Sequence, residues 1–127
     1  MRIDELPIKN GVDVLIGAPS NPITPNATAA IVNAIAATPG IQEAHLPQVF
    51  IPGASERPAQ VLILVLSGRR AMSEVMGHLG PKLHEIIPSG IYVDVWPLPR
   101  SHNVLPKVRS VGCEIWRAPK RPWWRVW

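Results

Sequence analysis

Six consecutive apolar residues, 61–66 (VLILVL), constrain the fold of this chain more than any other stretch. A strand with one face in water alternates apolar and polar residues, whereas a strand over this run would be apolar on both faces. Pro58 precedes the run, Gly68 follows it, and its length is typical of a strand. The sequence therefore predicts a central strand over residues 60–67, with both faces covered.

The length and composition are those of one ordinary domain. The chain has 127 residues, 46% of them hydrophobic, which is enough for a substantial core. We expect a single domain over residues 1–127, with its core at about 12–99 and an extension at 100–127. The single cysteine, Cys113, excludes an internal disulfide. No signal-peptide pattern or membrane-length apolar run is present, so we expect a reduced, cytoplasmic protein.

Charge is distributed unevenly along the chain. Residues 1–99 carry 6 Lys/Arg and 8 Asp/Glu, a net charge of −2, whereas residues 100–127 carry 7 and 1, a net charge of +6. A mildly acidic body with a basic end is typical of a protein that contacts an anionic partner.

Three further elements are predicted in the part of the chain that precedes the central strand. Residues 12–17 are again apolar in their middle, which predicts a second central strand. Thr24 and Pro25 have the form of an N-cap followed by proline at the first helical position, and apolar residues then recur at helical spacing up to residue 38. Residues 41–52 predict an irregular strand, placed at the sheet edge because Pro47 lacks an amide donor.

A second helix is predicted after the central strand, over an apolar stripe that runs from Met72 to Ile87. Pro81 predicts a kink or break in this helix near residue 80. Residues 91–96 alternate between apolar and polar, which predicts a half-exposed strand stopped by Pro97.

The element order is thus β-α-β-β-α-β. It predicts an α+β fold of the ferredoxin-like, split βαβ type, with a four-stranded antiparallel sheet and both helices on one face. The opposite face would also be apolar. It therefore needs a cover, which would be either the extension at residues 100–127 or a second protein chain.

No set of residues in the sequence assembles catalytic chemistry. His78 and His84 are six positions apart, which places them on opposite sides of the predicted helix, and other metal ligands are scarce, so no metal or cofactor is expected. Cys113 has no recognisable arrangement of histidine or carboxylate around it, and it is interpreted as a structural thiol. Without a nucleophile, base and oxyanion donors, we predict no enzymatic activity.

The C-terminal segment, residues 115–127 (IWRAPKRPWWRVW), alternates tryptophan with basic residues. Such a segment can bind a nucleic acid by stacking and phosphate contacts, or anchor the chain at an anionic membrane surface. Alternatively, its tryptophans pack on the bare sheet face or in a groove of a partner, with the arginines in water. We favour this third interpretation because the sheet face needs a cover. The predicted partner-binding residues are Trp116, Arg117, Lys120, Arg121, Trp123, Trp124, Arg125 and Trp127.

The stretches VLIGAPSNPI, ATPGIQEAHLPQV, PAQVLILVLSG and IPSGIYVDVWPLP fall within residues 12–99. Together they resemble the C-terminal domain of the enhanced serine sensitivity protein family, SseB, and RPWWR is similar to the closing proline-aromatic-basic motif of that family. Members commonly join this domain to a distinct N-terminal one, which this chain is too short to hold. The family supplies no established reaction, so the resemblance implies a small bacterial interaction or regulatory domain.

We therefore expect a non-catalytic protein-interaction or regulatory module, with another protein or a second copy of the chain as its partner. Self-association through the apolar sheet face is predicted. The alternative is nucleic-acid or anionic-membrane binding through the basic C-terminal segment, and no small-molecule substrate is identified.

Overall fold

The chain folds into six strands and three helices, as seen in a computed structural model that describes residues 14–20, 22–52, 59–68, 71–87 and 93–119. The α+β class predicted from the sequence is confirmed. In chain order the elements are β1 (Leu15–Gly17), α1 (Pro25–Ala36), β2 (Ile41–His45), β3 (Gln48–Phe50), β4 (Ala59–Leu66), α2 (Met72–Ile86), β5 (Asp94–Pro99), α3 (Leu105–Ser110) and β6 (Glu114–Arg117).

Strand β4 is the centre of the sheet. It pairs antiparallel with β2 and β3 on one side and parallel with β5 on the other, and α2 makes the crossover between β4 and β5. All residues from 61 to 66 are at most 5% exposed. The predicted central strand, covered on both faces, is therefore confirmed.

Strands β1 and β6 lie end to end beyond β2 and β3. β1 pairs antiparallel with β3, and β6 pairs antiparallel with β2. The Sγ atom of Cys113, just before β6, lies 4.0 Å from the carbonyl oxygen of Gly17 at the end of β1. The two short strands together form one border of the sheet, which we call the composite edge.

This strand order corrects the ferredoxin-like prediction. That topology places the first strand in the centre of four, whereas here β1 lies at an edge of a six-stranded sheet. Residues 41–52 were predicted at an edge and instead lie inside the sheet, as β2 and β3. Pro47 is tolerated there because it falls between the two strands, where its missing amide leaves no gap in either ladder.

The first strand also differs in burial from its prediction. Ile16 packs against the core, whereas Leu15 is 53% exposed. Because successive side chains of a strand point to opposite faces, one face of β1 is buried and the other is open. The apolar run at residues 14–16 therefore does not mark a central strand.

The predicted start of α1 is confirmed. The Oγ1 atom of Thr24 accepts a hydrogen bond of 3.2 Å from the amide of Ala27, with Pro25 in the first turn. In contrast, α2 continues through Pro81 without a break. Both Pro81 and Gly77, the residue whose carbonyl loses its usual partner, are exposed, so water can satisfy that carbonyl.

Strand β5 begins and ends later than predicted, since it runs through Pro97 to Pro99. This is possible because β5 pairs with β4 alone among the described strands. Prolines are tolerated where the missing amide would have pointed away from the neighbouring strand.

Two hydrophobic clusters lie on opposite faces of the sheet. On one face, α1 and α2 pack over Leu62, Leu64 and Leu66 of β4, so both helices share a face as predicted. On the other face, residues of α3 and its flank, Val104, Leu105 and Val108, pack with Val61, Ile63 and Val65. The extension thus covers the second face, which was one of the two predicted covers. No helix in the described ranges is long and apolar enough to cross a bilayer.

Candidate functional site

A buried polar cluster lies between β2 and the α3 side of the sheet. Glu43 and His45 of β2 are 3% and 1% exposed. In register they pair with Val65 and Ile63, which belong to the hydrophobic cluster under α3. A carboxylate in such surroundings requires a charged or hydrogen-bonding partner, because burial of an unpaired charge is very costly.

Arg109 of α3 is the main partner of Glu43. Its Nε lies 3.1 Å from Oε1 and its Nη2 lies 2.8 Å from Oε2, so the guanidinium binds both carboxylate oxygens. Arg117 of β6 lies 3.6 Å from Oε1 and also donates to Glu114. We call these five residues, Glu43, His45, Arg109, Glu114 and Arg117, the Glu43 cluster.

The two hydrogen bonds from Arg109 lower the pKa of Glu43 to about 2, against the effect of burial, which raises it. A hydrogen bond with His45 and the charges of Arg109 and Arg117 act in the same direction as the hydrogen bonds from Arg109. The same contact raises the pKa of Arg109. Glu43 is therefore ionised throughout the physiological pH range, and the ion pair persists across that range.

His45 completes the buried side of the cluster. Its Nε2 lies 3.0 Å from Oε1 of Glu43, whereas its buried Nδ1 has no hydrogen-bond partner among the described residues. The geometry fits the tautomer in which Nε2 carries the proton and donates it to the carboxylate.

Glu43, His45 and Glu114 also have the composition of a metal site, since one potential ligand atom from each lies within 4.8 Å of the others. However, guanidinium groups of Arg109 and Arg117 already contact the carboxylate oxygens. Two carboxylates and two guanidiniums balance in charge, and a divalent cation would have to displace the arginines. We interpret the cluster as an ion-pair network that ties α3 and β6 to the sheet.

Two further contacts fix α3 in place. Lys107 donates a hydrogen bond to the carbonyl oxygen of Val14, which joins α3 to the start of β1. The Nδ1 atom of His102 accepts a hydrogen bond of 3.1 Å from the amide of Val104, just before the helix. Desolvation lowers the pKa of His102, which favours the neutral imidazole that this hydrogen bond requires.

The structure places two of the residues predicted to bind a partner. Trp116 is half-buried and packs against the hydrophobic cluster under α1 and α2. The side chain of Arg117 is 53% exposed within the Glu43 cluster. Both also hold β6 to the body of the protein. The remaining predicted residues, Lys120, Arg121, Trp123, Trp124, Arg125 and Trp127, lie outside the described residues.

Cys113 is half-buried between Gly17 and Val111, with its Sγ 3.8 Å from the carbonyl oxygen of Val111. Burial raises the pKa of its thiol. A thiol that stays protonated at neutral pH is a weak nucleophile.

An open cleft of about 610 Å³ lies where the parallel strands β4 and β5 end and α2 begins. Ligands of α/β proteins often bind at this place in the fold. Here the first turn of α2 has no side-chain cap, since its N-cap residue is Ala71. The cleft is lined by Leu66, Ser67, Gly68, Met72, Pro99, Arg100 and Ser101.

On the side of the sheet that carries both helices, the exposed part of α1 is without charge, in contrast to that of α2, which bears Glu74 and Glu85. Residues 14–42 contain no Asp, Glu, Lys or Arg, although much of this stretch is exposed. Leu15 points to this side, because the next residue, Ile16, points to the cluster under α3. We call Leu15 and the exposed residues of α1 the neutral face. Those α1 residues include Asn26, Ala29, Asn33 and Ala36.

Sequence reasoning missed the neutral face, although its signal is present in the sequence. A surface helix normally carries charged residues, and α1 has none. The length of the charge-free stretch, rather than any motif, would have revealed it.

The border of the sheet at β5 is closed to a further strand, because β5 offers it no amide donor. The Oδ1 atom of Asp94 accepts a hydrogen bond of 3.0 Å from the amide of Val95, and Pro97 and Pro99 have no amide hydrogen. Alternate residues of an edge strand point their amides outward, so these three positions leave no outward donor on β5. An added strand is therefore disfavoured at this border.

We compared the chain with protein-family models, curated proteins and solved structures. None of them matches.

Proposed function

We propose that this chain is a small, non-catalytic bacterial protein-interaction or regulatory module of the cytoplasm, as its resemblance to the SseB C-terminal domain suggests. The observation that supports this function is the position of Leu15. This large apolar side chain is 53% exposed on a side of the sheet where residues 14–42 bear no charge. A surface that meets only water usually mixes charged residues of both signs, whereas the core of a protein interface is depleted in charge.

We propose a second copy of the chain as the partner at the neutral face. The chain has a formal net charge of +4, so two copies repel each other overall. Contact through the neutral face adds no pair of like charges to that repulsion. Ala29 and Ala36 are small, which allows two α1 helices to approach closely across a two-fold axis.

The proposed self-association uses a different surface from the one predicted from the sequence. The sequence had suggested the apolar sheet face opposite the helices, but α3 covers that face in the described chain. The need for a cover therefore no longer motivates association there. The exposed Leu15 gives a separate reason for self-association on the α1 side of the sheet.

Sedimentation velocity over a range of protein concentrations tests the proposal. The wild type should associate as its concentration rises, and Leu15→Lys should stay monomeric because each copy would place an ammonium group in the interface. Val111→Lys is the matched control, since it makes the same charge change beside α3, on the opposite side of the sheet. A wild type that remains monomeric at tens of micromolar would contradict self-association, as would equal effects of the two substitutions.

Nucleic-acid or anionic-membrane binding through the C-terminal segment is the second candidate function. The observation that favours it is the half-exposed guanidinium of Arg117, which lies beside that of Arg109. The protein-interaction function ranks first because both guanidiniums are also engaged within the protein.

A further inference from the structure

Arg109 and Arg117 come from different elements and meet at one carboxylate. Nη2 of Arg109 lies 2.8 Å from Oε2 of Glu43, and Nη2 of Arg117 lies 3.6 Å from Oε1. The two oxygens belong to the same carboxyl group, so the two guanidiniums must lie side by side. Glu43 itself is buried, and it therefore contacts the arginines from the core side, while Glu114 contacts Arg117 near the surface.

Both arginines keep unused donors toward solvent. A guanidinium has five N–H groups, and Arg109 uses one on Nε and one on Nη2 to bind Glu43. The side chains of Arg109 and Arg117 are 42% and 53% exposed. Two adjacent, oriented guanidiniums with outward N–H groups match the oxygens of a phosphate group.

We propose that Arg109 and Arg117 form a binding site for a backbone phosphate of a single-stranded nucleic acid. This inference rests on the second candidate function, nucleic-acid binding, and names a phosphate contact for it on the α3 side of the sheet, away from the neutral face. Glu43 acts as a positioning residue, because it fixes both guanidiniums before the ligand arrives. Such preorganisation lowers the entropic cost of ordering two long side chains on binding.

Glu114 competes with a phosphate for Arg117, because it already binds this arginine within the protein. It accepts a hydrogen bond from Arg117, but its side chain is 38% exposed. Ion pairs between exposed groups contribute little to stability, so a phosphate can replace Glu114 at Arg117. Arg109 keeps its bidentate contact with the buried Glu43 throughout.

Among the residues that the structure describes around the site, the surroundings favour a nucleic acid over a membrane. Membrane anchoring requires apolar side chains near the basic residues that are free to enter the lipid. The two apolar residues beside Arg117 on β6, Ile115 and Trp116, pack instead against the core under α1 and α2. Phosphate contacts along a strand of nucleic acid need no such insertion.

Fluorescence anisotropy with a labelled single-stranded RNA and the full chain tests the site, at about 50 and 200 mM salt. Arg117→Gln should weaken binding about tenfold and reduce the slope of log K against log salt by about 1, as expected for one lost phosphate contact. Arg100→Gln makes the same charge change at the end of β5, on the opposite border of the sheet, and should bind like the wild type.

Glu43→Gln separates a positioned site from a simple basic surface. It makes the protein more basic, so unspecific attraction would strengthen RNA binding. Loss of the positioning carboxylate should instead weaken it. Circular dichroism tests whether the variant is folded. If it is not, Arg117→Gln decides the question, since its partner Glu114 is half-exposed.

Three results would overturn the site. The first is equal weakening by Arg117→Gln and Arg100→Gln, which would show that only net charge matters. The second is stronger RNA binding by a folded Glu43→Gln variant. The third is binding to vesicles that contain anionic lipid without binding to RNA.

Discussion

Arg109 on α3 donates two hydrogen bonds to the carboxylate of Glu43 on β2, although the residues are 66 positions apart in the chain. This contact explains how a helix of one and a half turns stays on the sheet. Three apolar side chains supply the packing, and the ion pair fixes the position of α3 above β2.

The first prediction concerns this pair. Arg109→Gln should destabilise the protein by about 3–5 kcal/mol, because it removes the main partner of a buried carboxylate. The double variant Glu43→Gln/Arg109→Gln should lose less, since no charge is then left buried. Urea unfolding followed by circular dichroism measures both. A single variant within about 0.5 kcal/mol of the wild type, as expected for a surface control such as Arg100→Gln, would contradict the role of the pair.

The second prediction concerns acid pH. The pKa of Glu43 is lowered from 4.5 to about 2, so the folded protein holds this group ionised where the unfolded chain protonates it. Its contribution, roughly 3 kcal/mol, is fully present above pH 4.5 and is lost as the pH falls toward 2. The stability advantage of the wild type over Glu43→Gln should therefore shrink across this range. An advantage that is independent of pH between these values would contradict the assignment.

The third prediction concerns α3 as the cover of the sheet face. Leu105 is fully buried, and Leu105→Ala should cost about 2–5 kcal/mol of unfolding free energy. Leu15→Ala makes the same change at an exposed site and should cost far less. Similar losses in the two variants, measured by urea unfolding, would show that α3 does not form part of the core.

The features that the sequence did predict are local ones. The run at residues 61–66, bounded by Pro58 and Gly68, predicted the central strand, because a strand with six consecutive apolar residues must be covered on both faces. Thr24 and Pro25 fixed the start of α1 through their own chemistry. These patterns arise from residues that are neighbours in the chain, so they can be interpreted without knowledge of the rest of the fold.

The features that were missed depend on distant residues. Strand β1 is apolar enough for the centre of a sheet, and its edge position follows only from its pairing with β3. Helix α3 is too short to show a period, and β6 was not recognised at all. The Glu43 cluster had one sequence signal: Glu43 is the only Asp, Glu, Lys or Arg in residues 14–55, which indicates a charge that needs a partner from elsewhere.

The fourth prediction concerns the closed border at β5. Replacing both Pro97 and Pro99 with valine restores two outward amides on an edge strand, which should make aggregation several-fold faster. Light scattering of the concentrated protein measures the rate. Pro106→Ala, an exposed proline in α3, is the control and should leave the rate unchanged. Equal rates in the edge variant and the control would contradict the protective role of the prolines.

The most direct test of the proposed function is a dilution series of ¹H–¹⁵N correlation spectra of the whole chain. If copies associate through the neutral face, the resonances that shift with concentration should belong to β1 and α1, and Leu15→Lys should abolish those shifts. Resonances of α3 and β6 should stay constant in the same series. Spectra that do not change with concentration, or shifts confined to α3 and β6, would contradict self-association through the neutral face.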